Sequence, residues 1–183
     1  VIAGLEGGQE RATEHTLHKR GHGGIYAIHL FKPFPTTELK GGLRLDKYQS
    51  LDPRWTFNGG ADQKVGTSTV LRVSLGNNFK PPVLSDLFQK TPFQVPNPHL
   101  KPEKSLSFEA GIDHIFADLQ AKASLTGFVN KIDHITLPRR LQSGQFQRFN
   151  GAKRIAKGAE LALAFHPLSS LEGKMALTYT HAR

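Results

Sequence analysis

The sequence predicts an all-β chain, an antiparallel up-and-down sheet of about nine strands. Three observations carry that expectation. Apolar and polar residues alternate with a period of two in segment after segment, as where Leu39, Gly41, Leu43 and Leu45 interleave with Lys40, Gly42, Arg44 and Asp46. The connections between these segments alternate between short turns and longer loops. No apolar run reaches the roughly 18 residues of a membrane-crossing helix, whereas a barrel strand needs only about 9–11 residues of alternating pattern.

In chain order, residues 2–11 form a glycine-rich strand and the polar stretch 12–23 (ATEHTLHKRGHG) reads as a loop. Residues 24–31 are a strand. Residues 32–37 (KPFPTT) form a turn, because two prolines cannot join a central ladder. The strand 39–46 is followed by a loop over 47–54. Trp55, Phe57, Gly59 and Ala61 alternate with Thr56, Asn58, Gly60 and Asp62, and residues 64–67 turn the chain into a strand over 68–77.

Six prolines between positions 81 and 102 remove donors and mark residues 80–104 as one large loop. Within it Val83, Leu84, Leu87 and Phe88 predict a short helical turn near Ser85 and Asp86. Residues 105–116 alternate again, residues 117–118 form a tight turn, and a strand follows over 119–130 with Phe128 on its polar face. The run from His134 to Asn150 predicts an extended hairpin turning at 142–145, with Pro138 at an edge or a bulge. Strands over 159–165 and 171–181 flank a turn at 166–170.

Short turns at 32–37, 64–67, 117–118 and 166–170 therefore alternate with longer connections at 12–23, 47–54 and 80–104 and with the 142–145 hairpin. That is the habit of an outer-membrane barrel, and Phe31, Phe116 and Phe165 at the short-turn rim suit an aromatic girdle. A soluble β-sandwich also alternates, and the pattern by itself admits both.

Composition narrows the function classes. The 24 basic and 15 acidic residues give a formal charge of +9, which fits nucleic acid, an anionic membrane surface or an anionic cargo. The cations are spread along strands and loops without a basic helix or stacking platform, which disfavours nucleic acid. With no cysteine there is neither a disulfide scaffold nor a thiolate metal site. The chain opens VIAGLEGGQE without the features of a signal peptide, so its start reads as internal.

Five stretches in order resemble the barrel region of the TonB-dependent outer-membrane receptors: ELKGGLRLDKY, FKPPVLSDLF, NPHLKPEKS, SLTGFVNKIDHIT, and FNGAKRIAKGAELAL with its continuation to TYTHAR. Phe79, Pro81, Pro82 and Leu87 carry the second stretch, and Asn97, Pro98, Leu100, Pro102 and Glu103 the third. The resemblance covers most of residues 1–183, which form one partial receptor barrel domain, and favours a transmembrane β-barrel wall over the sandwich. It implies about nine strands of a larger barrel, expected as an open curved sheet with edges at residues 2–11 and 171–181. It also implies a Gram-negative outer-membrane receptor, not an enzyme, importing a ferric siderophore, cobalamin or haem. Expected partners are outer-membrane lipid and lipopolysaccharide, and the TonB energy-transducing complex through an N-terminal region that these residues lack. The expected piece lacks the plug and the terminal aromatic strand, so it reads as internal or truncated.

Sites of chemistry are sparse. His15, His18 and His22 do not make an H-E-x-x-H zinc motif and read as solvated loop residues or as a capture site at the outer mouth. Arg139 and Arg140, with Arg148 and Lys153, could attract an anionic chelate or lipopolysaccharide phosphates. A haem receptor of the family would carry a His between the second and third stretches; residues 83–96 contain none, and His99 lies inside the third. No metal ligand set, catalytic triad order, phosphate loop or other cofactor motif stands out. Two alternatives remain: a small closed barrel of eight or ten strands, and a barrel enzyme using His15 or His134 with a carboxylate and a serine.

Overall fold

The computed structural model describes residues 1–13, 17–168 and 171–183. Period-two alternation becomes one antiparallel sheet of nine strands. They are β1 (Ile2–Thr13), β2 (Leu17–Phe34), β3 (Thr37–Tyr48), β4 (Arg54–Val65), β5 (Thr69–Lys80), β7 (Glu103–Phe116), β8 (Ala121–Asp133), β11 (Arg154–Leu168) and β12 (Leu171–Ala182). Their order in the sheet is their order in the chain, so each strand pairs with its predecessor. Two insertions stand on the rim: α1 (Leu84–Phe88) and β6 (Gln94–Val95) between β5 and β7, and the hairpin β9 (Thr136–Arg140) and β10 (Phe146–Asn150) between β8 and β11.

The sheet is a single layer with its apolar side uncovered. Direct partners share a face, so the register lines up Ile112, Leu125, Leu161 and Leu177 across β7, β8, β11 and β12. Leu125 is 49% exposed and Leu177 67%, and Leu43, Leu71 and Phe108 are exposed on the same side. Leu84, Leu87 and Leu100 form a buried cluster, and all three lie in the β5–β7 connection. An apolar face of this extent requires a cover, and strand length indicates which. The 12 residues of β3, β4 or β5 measure about 40 Å, which at a tilt near 45° rises about 28 Å, the span of a hydrocarbon layer.

The odd positions 121–129, with 159, 161, 163 and 165, lie on this apolar face, while Lys122, Thr126, Glu160 and Ala162 lie on the opposite one, as the alternation predicts. Phe128 falls on the polar face against Gly158, where a Cβ would meet the Phe128 ring and the Tyr179 carbonyl oxygen. Only a glycine admits that approach.

The stretch 12–23 corrects the expected loop. β1 and β2 stay paired up to Thr13 opposite Leu17, so His18 and His22 are ladder residues; His15 lies outside the described residues. A ladder rising beyond an apolar layer has no greasy face to display, so polar and glycine residues there imitate a loop. The 32–37 turn contracts to Pro35 and Thr36, and the register slips between Phe31 and Phe34 around Pro33. The 166–170 turn contracts too, since β11 runs on to Leu168 with a register shift after Phe165. The small closed barrel is also corrected. β1 and β12 stand at opposite ends of the sheet order, which leaves an open sheet.

Candidate functional site

On the polar side, charges at alternate positions meet across the ladder. Arg44 reaches Glu6 at 2.9 Å and Asp46 at 2.7 Å. Lys40 joins Glu38 at 3.2 Å to Asp62 at 2.7 Å. Asp113 sits 3.0 Å from Arg72 and 3.6 Å from Lys122, so one carboxylate joins two cations. These side chains are partly wet, and such pairs contribute about 0–1 kcal/mol each. Their effect is chemical: they make one side of the sheet a hydrated wall. A hollow of about 570 Å³ lies on it among Glu6, Tyr26, Arg44, Asn58, Ser105 and Ser107. A second, of about 360 Å³, lies among Lys40, Asp62, Arg72, Glu109, Thr126 and Glu160.

At the long-connection rim the polar side closes over a cation. Arg20 is 2% exposed; its Nε donates to Glu10 Oε2 at 3.0 Å and its Nη2 donates to the same oxygen. The guanidinium lies 5.1 Å from the Tyr48 ring centre, His22 stacks on Tyr48 at 5.3 Å, and Phe79 meets Tyr48 edge-on at 5.9 Å. Arg20 Nη1 and His22 Nδ1 are buried without a hydrogen-bond partner among the described residues. Glu10→Ala is expected to cost about 2 kcal/mol, because it strands a buried cation. Glu6→Ala, on a pair with Glu6 54% exposed, should cost less than about 1 kcal/mol. Comparing the two unfolding midpoints tests this; equal costs would show that Arg20 does not depend on Glu10.

The β5–β7 connection is a strap that spans this rim. It leaves β5 through Pro81 and Pro82, and α1 packs on β1 and β2, with Leu84, Leu87 and Leu100 clustered against Ala12 and His18 stacked on Phe88 at 4.6 Å. The predicted helical turn is thus present, and it has crossed over β3 and β4. Its return half is fastened to the hairpin. β6 pairs in parallel with β10, Asn97 Nδ2 donates to the Arg148 carbonyl at 2.9 Å, and Gln147 Nε2 donates to the Pro96 carbonyl at 3.1 Å. Asn150 brackets Lys101, accepting its N–H at 2.7 Å and donating to its carbonyl at 2.9 Å. Glu103 accepts the Thr136 N–H at 2.8 Å.

The recognised stretches therefore assemble a fastener. Phe79 braces Tyr48, Pro82, Leu87, Leu100 and Pro102 are buried, and Pro98 stands exposed at the turn beside Asn97. Arg139 lies over the Phe149 ring at 5.3 Å, with Arg140 exposed beside it on β9. Pro138 lies on the edge strand of the β6-β10-β9 sheet, as expected. His22 joins the Arg20 cluster and His18 the strap; neither joins Arg139 or Arg140. His134 adopts a positive φ of 61°, and its Nδ1 is buried without a hydrogen-bond partner among the described residues. No group of three metal-ligating side chains occurs among the described residues. The sequence reading missed Arg20, Glu10 and Tyr48; extending the alternation back from Gly24 would have put His18, Arg20 and His22 on one face.

Comparison with known proteins bears on this architecture. No curated protein sequence matches at a significant level. The structure superimposes on the siderophore receptor PirA from Pseudomonas aeruginosa with a TM-score of 0.89 and 24% identity, over 98% of this chain and 36% of that one. It also resembles the ferric enterobactin receptor PfeA from Pseudomonas aeruginosa (TM-score 0.76, 20% identity, 90% of this chain and 27% of that one). The copper transporter OprC follows with TM-score 0.75 and 17% identity, over 90% of this chain and 29% of that one. The chain thus spans about a third of the length of the receptor structures it matches. The family model for the TonB-dependent receptor-like β-barrel matches residues 7–183, and with a nine-stranded open wall that is apolar on one face and charged on the other, this chain belongs to that family.

Proposed function

We propose that this wall is part of an outer-membrane receptor that binds and imports a scarce metal chelate, a ferric siderophore foremost, with import driven by the TonB system. The observation that carries the reading is the division of one sheet into an exposed apolar face and a charged face with a strap across its rim. A wall between lipid and a watery lumen needs that division. The similar structures include receptors for siderophores and a transporter for copper, which favours a metal cargo over cobalamin. Haem draws less support, because His18 is engaged by Phe88 and His99 lies at an exposed turn. The energising partner would engage a region N-terminal to this wall, and the exposed Arg140 would meet anionic cargo or lipopolysaccharide.

The test is uptake of radiolabelled metal chelates by cells that make the receptor, with and without a working TonB system. Uptake of a ferric siderophore that requires both is expected. Chelate uptake indifferent to the loss of TonB would sink the energised reading.

Orientation has its own test. The strap lies at the rim of the long connections, which this reading turns outwards, and Lys90 within it is exposed. Trypsin added to intact cells is expected to cut at Lys90. Cleavage only after the outer membrane is breached would reverse the orientation.

A further inference from the structure

The sequence places asparagine before glycine twice, Asn58 before Gly59 and Asn150 before Gly151, each time directly after a phenylalanine. An asparagine in that position is prone to lose its side-chain amide, because glycine puts no side chain in the path of its own backbone nitrogen toward the asparagine Cγ. The two local sequences are nearly alike, so their reactivity is set by the fold. Asn58 and Gly59 lie inside β4 with a ladder on either side, opposite Gly42 and Gly41 of β3 and Gly76 and Leu75 of β5. Asn150 is instead the last residue of β10, and Gly151 follows it outside the strand.

At this second pair the fastening of the strap demands both residues. Asn150 Oδ1 accepts the Lys101 N–H at 2.7 Å, and its Nδ2 donates to the carbonyls of Lys101 and His134, each at 2.9 Å. An aspartate of the same length could accept but not donate. A Cβ on Gly151 would stand 2.6 Å from Leu137 Cδ1, so a larger residue does not fit there. The contacts that impose this labile pair also keep it inert. The carboxamide is turned to Lys101 and His134, and the Gly151 N–H is committed to the Ile135 carbonyl at 2.6 Å. The nitrogen cannot turn onto Cγ while that bracket is closed.

We propose that Asn150 is a self-modification site, guarded by the strap it fastens, whose conversion unfastens that strap. When the bracket opens, the Gly151 nitrogen bonds to Asn150 Cγ and the Cγ–Nδ2 bond breaks. Ammonia leaves with the proton that the Gly151 nitrogen gives up, and water opens the resulting cyclic imide to aspartate or isoaspartate. The new carboxylate has no hydrogen to donate, so it sets an anion against the Lys101 and His134 carbonyl oxygens. His134 is held at a φ of 61° beside it, and loses a bond that keeps it in that uncommon conformation. The change runs one way, and it needs neither cargo nor the energising partner.

The test uses the receptor that carries this wall, folded in detergent and incubated at mildly alkaline pH, where loss of the amide proton speeds the attack. Peptide mass mapping then follows both sites. Asn150 should convert faster than Asn58, because the strap opens locally whereas a central ladder opens only with the sheet. Asn97→Ala/Gln147→Ala removes two side-chain bonds between the strap and β10 without touching Asn150, and should speed conversion at Asn150 on the order of tenfold, leaving Asn58 unchanged. Asn150→Asp, which places the product there from the start, should speed hydrogen exchange across residues 94–101 by a similar factor and leave β4 as it was. Heat-modifiable migration shows that each variant is folded; should the double variant fail to fold, the two sites of the native receptor and the exchange of Asn150→Asp still decide. Conversion at Asn150 no faster than at Asn58, no acceleration in a folded double variant, or unchanged exchange in Asn150→Asp would overturn the proposal.

Discussion

Expressed on their own, residues 1–183 are expected to give no heat-modifiable, detergent-stable monomer and no specific uptake of cargo. The reason is the two ends of the sheet. β1 and β12 each have a neighbour on one side only, so alternate N–H and C=O groups along both point at nothing. In hydrocarbon each unsatisfied group costs several kcal/mol, and a row of them outweighs the marginal stability of any domain. In water the same edges, flanked by exposed Leu5 and Leu177, recruit further strands. An odd count of nine also sets β1 and β12 parallel, whereas bacterial single-chain barrels close with even numbers of antiparallel strands. Boiled and unboiled samples on a detergent gel are expected to migrate alike. A compact monomer with exchange-protected amides joining β1 to β12 would refute the open wall.

Leu125→Arg in the receptor should destabilise the barrel by about 2–4 kcal/mol, while Thr126→Arg, one residue away, should cost less than about 1 kcal/mol. Leu125 occupies the middle of β8, in register with Ile112 and Leu161 and half exposed on the apolar face. Arginine there holds a guanidinium near the centre of the hydrocarbon. Thr126 is opposite Gly111 and Glu160 on the charged side, where a new cation meets water and a carboxylate. Leu163→Arg should behave as Leu125→Arg does, because Leu163 pairs with Ala123 and Met175 on the same face. Denaturant unfolding from lipid vesicles gives the comparison. Equal tolerance of arginine at 125 and 126 would overturn the assignment of faces.

Alternation was sufficient to read most strands, both faces and the hairpin turn at 142–145, where Leu141 and Gln145 close a backbone bond of 2.8 Å. It was sufficient because in a strand the face of a residue depends only on parity, a property of neighbours in sequence. The β1–β2 ladder escaped it because Gly21, Gly23 and Gly24 carry no side chain to alternate, and ladder bonds between backbones need none. The same limit hid Arg20: its guanidinium is held by Glu10 across the ladder and by the Tyr48 ring, residues that its own sequence neighbours do not reveal.

The sequence by itself therefore determined an all-β chain, which residues share a face, and the large proline-marked loop, since each follows from local sterics and parity. Only the tertiary structure decided that the loop folds back over β1 and β2, and that Asn97 and Asn150 fasten it to a hairpin about fifty positions away. It alone decided that Val129 of β8, Lys157 of β11 and His181 of β12 line one groove. Those contacts join segments whose mutual distance is set by sheet order and loop closure, and no local pattern of residues encodes that distance.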